Sequence, residues 1–217
     1  MSMLRTLFGP SRQEVWRQLS TELGGRYVKP GFAARDSVEV THGEWTVTLD
    51  TYVVSTGKTS RAYTRMRAPY VNPDGFRFCV YRRGVFSDIG KLFGMQDVHV
   101  GFEPFDRDFI VKGTSEEKLR YLFSNPRIRE LVAAQSSIKF MVKDGSGWFG
   151  RGYPEGVDEL SFVVSGVIKD VERLKGMYEL FAETLDELCR MGSAYEGAPD
   201  LSRDRGACGE GTCRDEA

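Results

Sequence analysis

Trp45-Thr46-Val47-Thr48-Leu49-Asp50-Thr51-Tyr52-Val53 decides the fold. Trp45, Val47, Leu49, Thr51 and Val53 fall on one side of an extended chain, and Thr46, Thr48, Asp50 and Tyr52 on the other. A period of two marks a strand with one buried face. Working outward, further strands are expected at about 27–29, 37–41, 61–68 and 76–82, separated by Gly-, Pro- and Asn-rich turns. Asn72-Pro73-Asp74-Gly75 is the clearest of these turns. Upstream, Ser11 and Glu14 have the spacing of a capping box. They open a helix with Val15, Trp16, Leu19 and Leu23 inward, ended by Gly24-Gly25. Residues 1–104 thus read as one helix plus an antiparallel meander.

Downstream, residues 105–191 read as strand, two helices, strands and a long helix. A strand is expected at 108–112. Thr114 with Glu117 predicts a second capping box, with Leu119, Leu122 and Phe123 facing inward. Asn125-Pro126 starts the next helix, because Asn caps well and Pro is tolerated at the first helical position; its inward residues are Ile128, Leu131 and Val132. Strands follow at 138–143 and 160–168, with a short one around 148–153. In 170–191, Val171, Leu174, Tyr178, Phe181, Leu185 and Leu188 recur at alternating spacings of three and four. A helix lying on the chain's own sheet gives that pattern and is the expected reading; self-association through this helix is the alternative. Beyond it, 192–217 is poor in apolar residues and expected to be a disordered tail. The fold class is α+β: antiparallel sheet covered by the first and last helices, a helix pair inserted in the second half, and the two halves forming one compact unit.

The chain has 217 residues, 41% hydrophobic and 28% charged, enough for a core without staples. Apolar runs are only a few residues long, so no membrane span is expected, and the N-terminus lacks the apolar stretch of a signal peptide. Cys79, Cys189, Cys208 and Cys213 are too scattered for a disulfide framework, and a soluble, cytoplasmic protein is the expectation. Net charge is −1 but unevenly spread. Residues 58–83 carry seven bases against one acid, and residues 155–217 fifteen acids against seven bases. The basic segment either meets an anionic partner or is neutralised by the acidic one.

Two phosphate-loop signals fail on context. Gly57-Lys58-Thr59 lacks the earlier glycine of a P-loop, since Tyr52 stands there, and a strand pattern follows. Gly145-Ser146-Gly147-Trp148-Phe149-Gly150 fits G-x-G-x-x-G, but Gly152, Pro154 and Gly156 preclude the helix that would receive a pyrophosphate. No G-x-S-x-G elbow occurs. His42 lies in a turn and reads as exposed. Asp97, His99 and Glu103 form an oxygen-rich group with one imidazole, a composition that can hold a divalent metal, with Asp106 and Asp108 close in sequence. Cys208 and Cys213 supply only two of the four ligands a structural metal needs. The strongest positive signal is on the sheet. Alternation puts Arg61, Tyr63, Arg65 and Arg67 on one face of their strand, and Arg77, Cys79, Tyr81 and Arg83 on one face of theirs. Paired as a hairpin, these would present arginine forks for phosphate and tyrosines for base stacking. The competing reading pairs the arginines with Asp50 or with the acidic second half.

The run Phe105-Asp106-Arg107-Asp108-Phe109-Ile110-Val111-Lys112-Gly113, followed by Ser115-Glu116-Glu117-Lys118-Leu119-Arg120-Tyr121-Leu122-Phe123, the 138–143 strand and the closing helix, resembles a family of uncharacterised bacterial proteins, a domain of unknown function. The resemblance spans 105–191 and lies in the order of elements more than in rare residues. Members often carry a membrane-anchoring segment before this domain; none is read here. The family implies no activity and no catalytic residues. The leading expectation is a non-enzymatic binding or interaction module without a cofactor, its site Tyr63, Arg65, Arg67, Arg77, Tyr81 and Arg83. A single-stranded nucleic-acid binder on that face is one alternative. A metal-dependent enzyme around Asp97, His99 and Glu103 is the other.

Overall fold

The alternation at Trp45 runs further than the sequence indicated, because its strand continues into a long hairpin. In the computed structural model, which describes residues 10–29, 36–84, 95–145 and 152–201, β1 is Arg26–Val28, β2 Ser37–His42, β3 Trp45–Thr56 and β4 Thr59–Val71. β3 and β4 pair from Thr48↔Arg67 to Thr56↔Thr59, leaving a two-residue turn at Gly57-Lys58. Gly57 has φ +61, which a tight hairpin turn demands and only glycine adopts freely. The P-loop-like triplet is therefore a hairpin tip. β5 is Phe78–Arg82, β6 Gln96–Asp97, β7 Phe109–Gly113, β8 Lys139–Lys143 and β9 Val157–Ser165.

These strands make one antiparallel sheet in the order β1-β2-β3-β4-β9-β8-β5-β7-β6. The β8–β9 hairpin is wedged between β4 and β5, so the two arginine strands are not neighbours, and the hairpin pairing considered from sequence does not form. Among the described residues the helices are α1 Arg12–Glu22, α2 Glu103–Asp108, α3 Glu116–Leu122, α4 Pro126–Ala133 and α5 Val171–Arg190. The Ser11–Glu14 capping box forms at α1, and Asn125 caps α4 with Pro126 in its first turn. At α3 the cap shifts by one residue. Ser115, not Thr114, accepts the Lys118 amide, and the Thr114 hydroxyl accepts the Arg77 amide instead. Short α2 was not expected; Asp106 stabilises its start by accepting the amides of Val100, Gly101 and Phe102.

The buried apolar residues of all five described helices join one core cluster with Val38, Val40, Leu49, Met66, Phe78, Val111, Phe140, Leu160 and Phe162. Residues from both halves of the chain therefore share one core. The seam of α5 is consumed by it: Leu174, Phe181, Leu185 and Leu188 are fully buried, and Phe181 lies 5.7 Å from Phe140. Four of the six seam residues are thus packed in the chain's own core, and Val171 and Tyr178 are partly buried against it. Ser193 and Ala194 are also buried, and the Tyr195 amide donates to the Val71 carbonyl, so ordered packing outlasts the expected end near Met191. The short strand expected at 148–153 and the Cys208/Cys213 pair lie wholly or mostly outside the described residues. His42 is half-buried rather than exposed. It bonds Asp186 of α5 at 2.8 Å and stacks on Trp45. No described helix is long and apolar enough to cross a membrane.

Candidate functional site

Residues opposite one another across antiparallel strands share a face, so the register draws the second side of the sheet. One row runs Arg26, Glu39, Thr48, Arg67, Ser161, Met141, Cys79, Lys112, Asp97 across all nine strands. The next runs Asp50, Arg65, Val163, Lys139, Tyr81, Ile110. A third places Pro69, Glu159 and Lys143 together, and Tyr52 and Tyr63 pair beyond the second. This face has its own small apolar cluster, Cys79, Tyr81 and Met141 with Met95 and Ile110 against it, which contains no helical residue. Burial pushes the Cys79 thiol up to about 11, so it behaves as a small hydrophobe and not as a nucleophile.

The centre of the face is polar. Arg65 donates to Asp50 through both Nε (2.9 Å) and Nη2 (2.7 Å), a bidentate fork, and Arg67 Nη2 lies 3.2 Å from the same carboxylate. Burial disfavours the Arg65 charge, but the Asp50 pair outweighs it and raises the pKa. The Arg65 guanidinium sits 5.3 Å over the Tyr52 ring, which stacks on Tyr63. Next to them, Tyr153, just before β9, donates to Glu159 at 2.7 Å, and Lys143 of β8 lies 3.6 Å from the other Glu159 oxygen. Burial, then the Glu159 charge, pushes Tyr153 up to about 12. Burial lowers Lys143, with Glu159 opposing. Arg65, Arg67 and Lys143 thus face Asp50 and Glu159, three cations to two carboxylates. The buried Arg67 Nε and Ser161 Oγ, on cross-strand neighbours, have no hydrogen-bond partner among the described residues.

Of the residues singled out from sequence, Tyr63, Arg65, Arg67 and Tyr81 do share this face. Arg77 and Arg83 do not join them. Arg77 closes the far end of the sheet, holding Asp158 through Nε (2.8 Å) and Nη2 (3.0 Å) and reaching Asp144 at 3.0 Å. Arg83 donates to the main-chain carbonyls of Asp106 and Arg107. Asp50 thus matches Arg65 and Arg67, and Asp158 matches Arg77, while Arg83 is held by main-chain carbonyls. Lys143, Tyr153, Glu159 and Ser161 escaped sequence reasoning. Only the register of the wedged β8–β9 hairpin brings them beside β4, and no local pattern encodes that.

Of the metal candidates, Asp97 and His99 line one concavity, and Glu103 is not among its lining residues. Asp97 pairs with Lys112 at 2.9 Å. His99 is exposed beside a shallow concavity of about 220 Å³ lined by Arg83, Asp97, Asp106 and Phe109. Among the described residues no three His, Cys, Asp or Glu side chains are grouped to hold a metal ion.

The fold and face define a two-layer α+β protein: helices on one side of an antiparallel sheet, and on the other a polar and aromatic face on which Asp50, Glu159 and Ser161 are buried and Arg65 and Arg67 half-buried. No family model and no curated protein matches the chain, so the expected resemblance of 105–191 to a domain of unknown function is not confirmed by a family match. Among solved structures, the mycobacterial trehalose monomycolate transport factor A, TtfA, is similar at a TM-score of 0.49 and 8% identity, covering 82% of this chain and 94% of that one.

Proposed function

We propose that the protein is a binding module whose site is the second sheet face, centred on Arg65, Arg67 and Lys143, and that its ligand carries an anionic group. The supporting observation is the charge pattern there, in which three cations meet two carboxylates while Arg67 Nε and the neighbouring Ser161 hydroxyl have no hydrogen-bond partner among the described residues. Arginine recognises carboxylate and phosphate through paired N–H donors, and a desolvated lysine adds a point charge. Asp50 acts as a stand-in acceptor that aligns both guanidinium groups before a ligand arrives.

The test is retention of the full chain on immobilised phosphate, heparin and single-stranded DNA across a salt series, with melting shifts for the free anions. Salt-sensitive binding lost in Arg67→Ala and Lys143→Ala supports the reading. Binding indifferent to salt and to both substitutions overturns it. Nucleic acid is the narrower version of this reading, with the half-buried Tyr52 and Tyr63 as stacking partners, and preference for single-stranded DNA over inorganic phosphate distinguishes it. Turnover in a general hydrolase screen, with no retention on any matrix, would replace the binding module with an enzyme.

A further inference from the structure

The β3–β4 hairpin outruns the sheet that supports it. β2 pairs with β3 from His42↔Trp45 to Val38↔Leu49, and β9 pairs with β4 only as far as Thr64↔Val164, with one bridge at Tyr63↔Gly166. The upper part of the arm is therefore a two-stranded ribbon. Antiparallel hydrogen bonding alternates sides along a strand. His42↔Trp45 closes one two-residue turn and Thr56↔Thr59 the other. Trp45, Val47 and Leu49 thus direct their main-chain groups toward β2, and Tyr52, Val54 and Thr56 direct theirs toward β4. By the same alternation, Val53 and Ser55 point N–H and C=O out of the free edge. Val53 is 50% and Val54 43% exposed, on opposite faces of the ribbon.

The sheet's two outer strands are only three and two residues long, which protects its ends from pairing with other chains. The arm has no such protection. Residues 51–57, Thr-Tyr-Val-Val-Ser-Thr-Gly, contain no charge and no proline and are rich in strand formers.

We propose that this edge pairs with the same edge of a second copy of the chain, antiparallel about a twofold axis at Val54. In that register Val53 faces Ser55 of the other copy and Ser55 faces its Val53, giving four main-chain hydrogen bonds. The two exposed Val54 side chains meet across the axis. Each Lys58 turn approaches the start of β2 in the other copy, where Asp36 is already paired with Arg12, and the seam itself, Val53 to Ser55, carries no charge.

Sedimentation velocity of the full chain over a concentration series tests this, with two variants. Val53→Pro removes an N–H that points only out of the edge and leaves the arm's own ladder intact. Val54→Lys sets two cations face to face, and each variant should raise the dimer dissociation constant by about tenfold or more. Circular dichroism and thermal melts verify that both variants remain folded. A wild-type chain that stays monomeric throughout, or a dimer untouched by both substitutions, overturns the proposal.

Discussion

Asp158 is the residue on which one end of the sheet depends. Its buried carboxylate accepts both Arg77 donors, the Asn72 amide at 2.6 Å and the Gly145 N–H at 3.2 Å. Removing it leaves the buried Gly145 N–H without its acceptor, Arg77 with Asp144 alone and the Asn72 amide with the Phe76 carbonyl alone, so Asp158→Ala should cost about 1–3 kcal/mol in urea unfolding, against less than about 1 kcal/mol for Asp97→Ala at the exposed Lys112 pair. Close by, Asp74 gathers Lys118 and the Ser193 hydroxyl (2.8 Å) and accepts the Phe76 amide. Burial opposes its ionisation, but these donors outweigh burial and hold its pKa below the ordinary 3.8. Because the folded-state value is the lower one, the stabilisation is complete above about 3.8 and fades as pH falls through the folded-state value. Stability measured from pH 5 to about pH 2 should therefore fall more steeply for wild type than for Asp74→Asn, the two curves converging at the acid end.

At the scale of elements, what could be read from sequence was what local chemistry dictates. The Ser11 and Asn125 caps, the alternation at Trp45 and the seam of α5 each arise from contacts between residues near in sequence or from one face being dry. The errors have equally physical sources. The cap at α3 moved to Ser115 because Thr114 is drawn to Arg77, thirty-seven residues away in sequence. Helix α2 was hidden because Asp106 looks like a surface acid until it is seen closing three amides. The candidate face was half legible. Alternation correctly put Tyr63, Arg65 and Arg67 together, while the Arg77 and Arg83 assignments failed because both lie at strand ends, where partners outside the ladder decide direction.

At the scale of the molecule, the sheet joins its halves through β4↔β9 and β5↔β8, contacts distant in sequence. A fragment of residues 1–104 leaves β4 and β5 without the strands between them and the main core without α3, α4 and α5. It should show neither cooperative melting nor a dispersed amide spectrum, whereas residues 1–201 should show both. The same wedge imposes an order of events during synthesis. β4 leaves the ribosome long before Val157–Ser165 exists to lie against it, so for that interval its full length is a bare border open to any neighbouring nascent chain. Arg61, Arg65, Arg67 and Pro69 stand along that border, the residue types that discourage such mispairing. The arginines that line a surface in the finished protein are thus guards of an unfinished one.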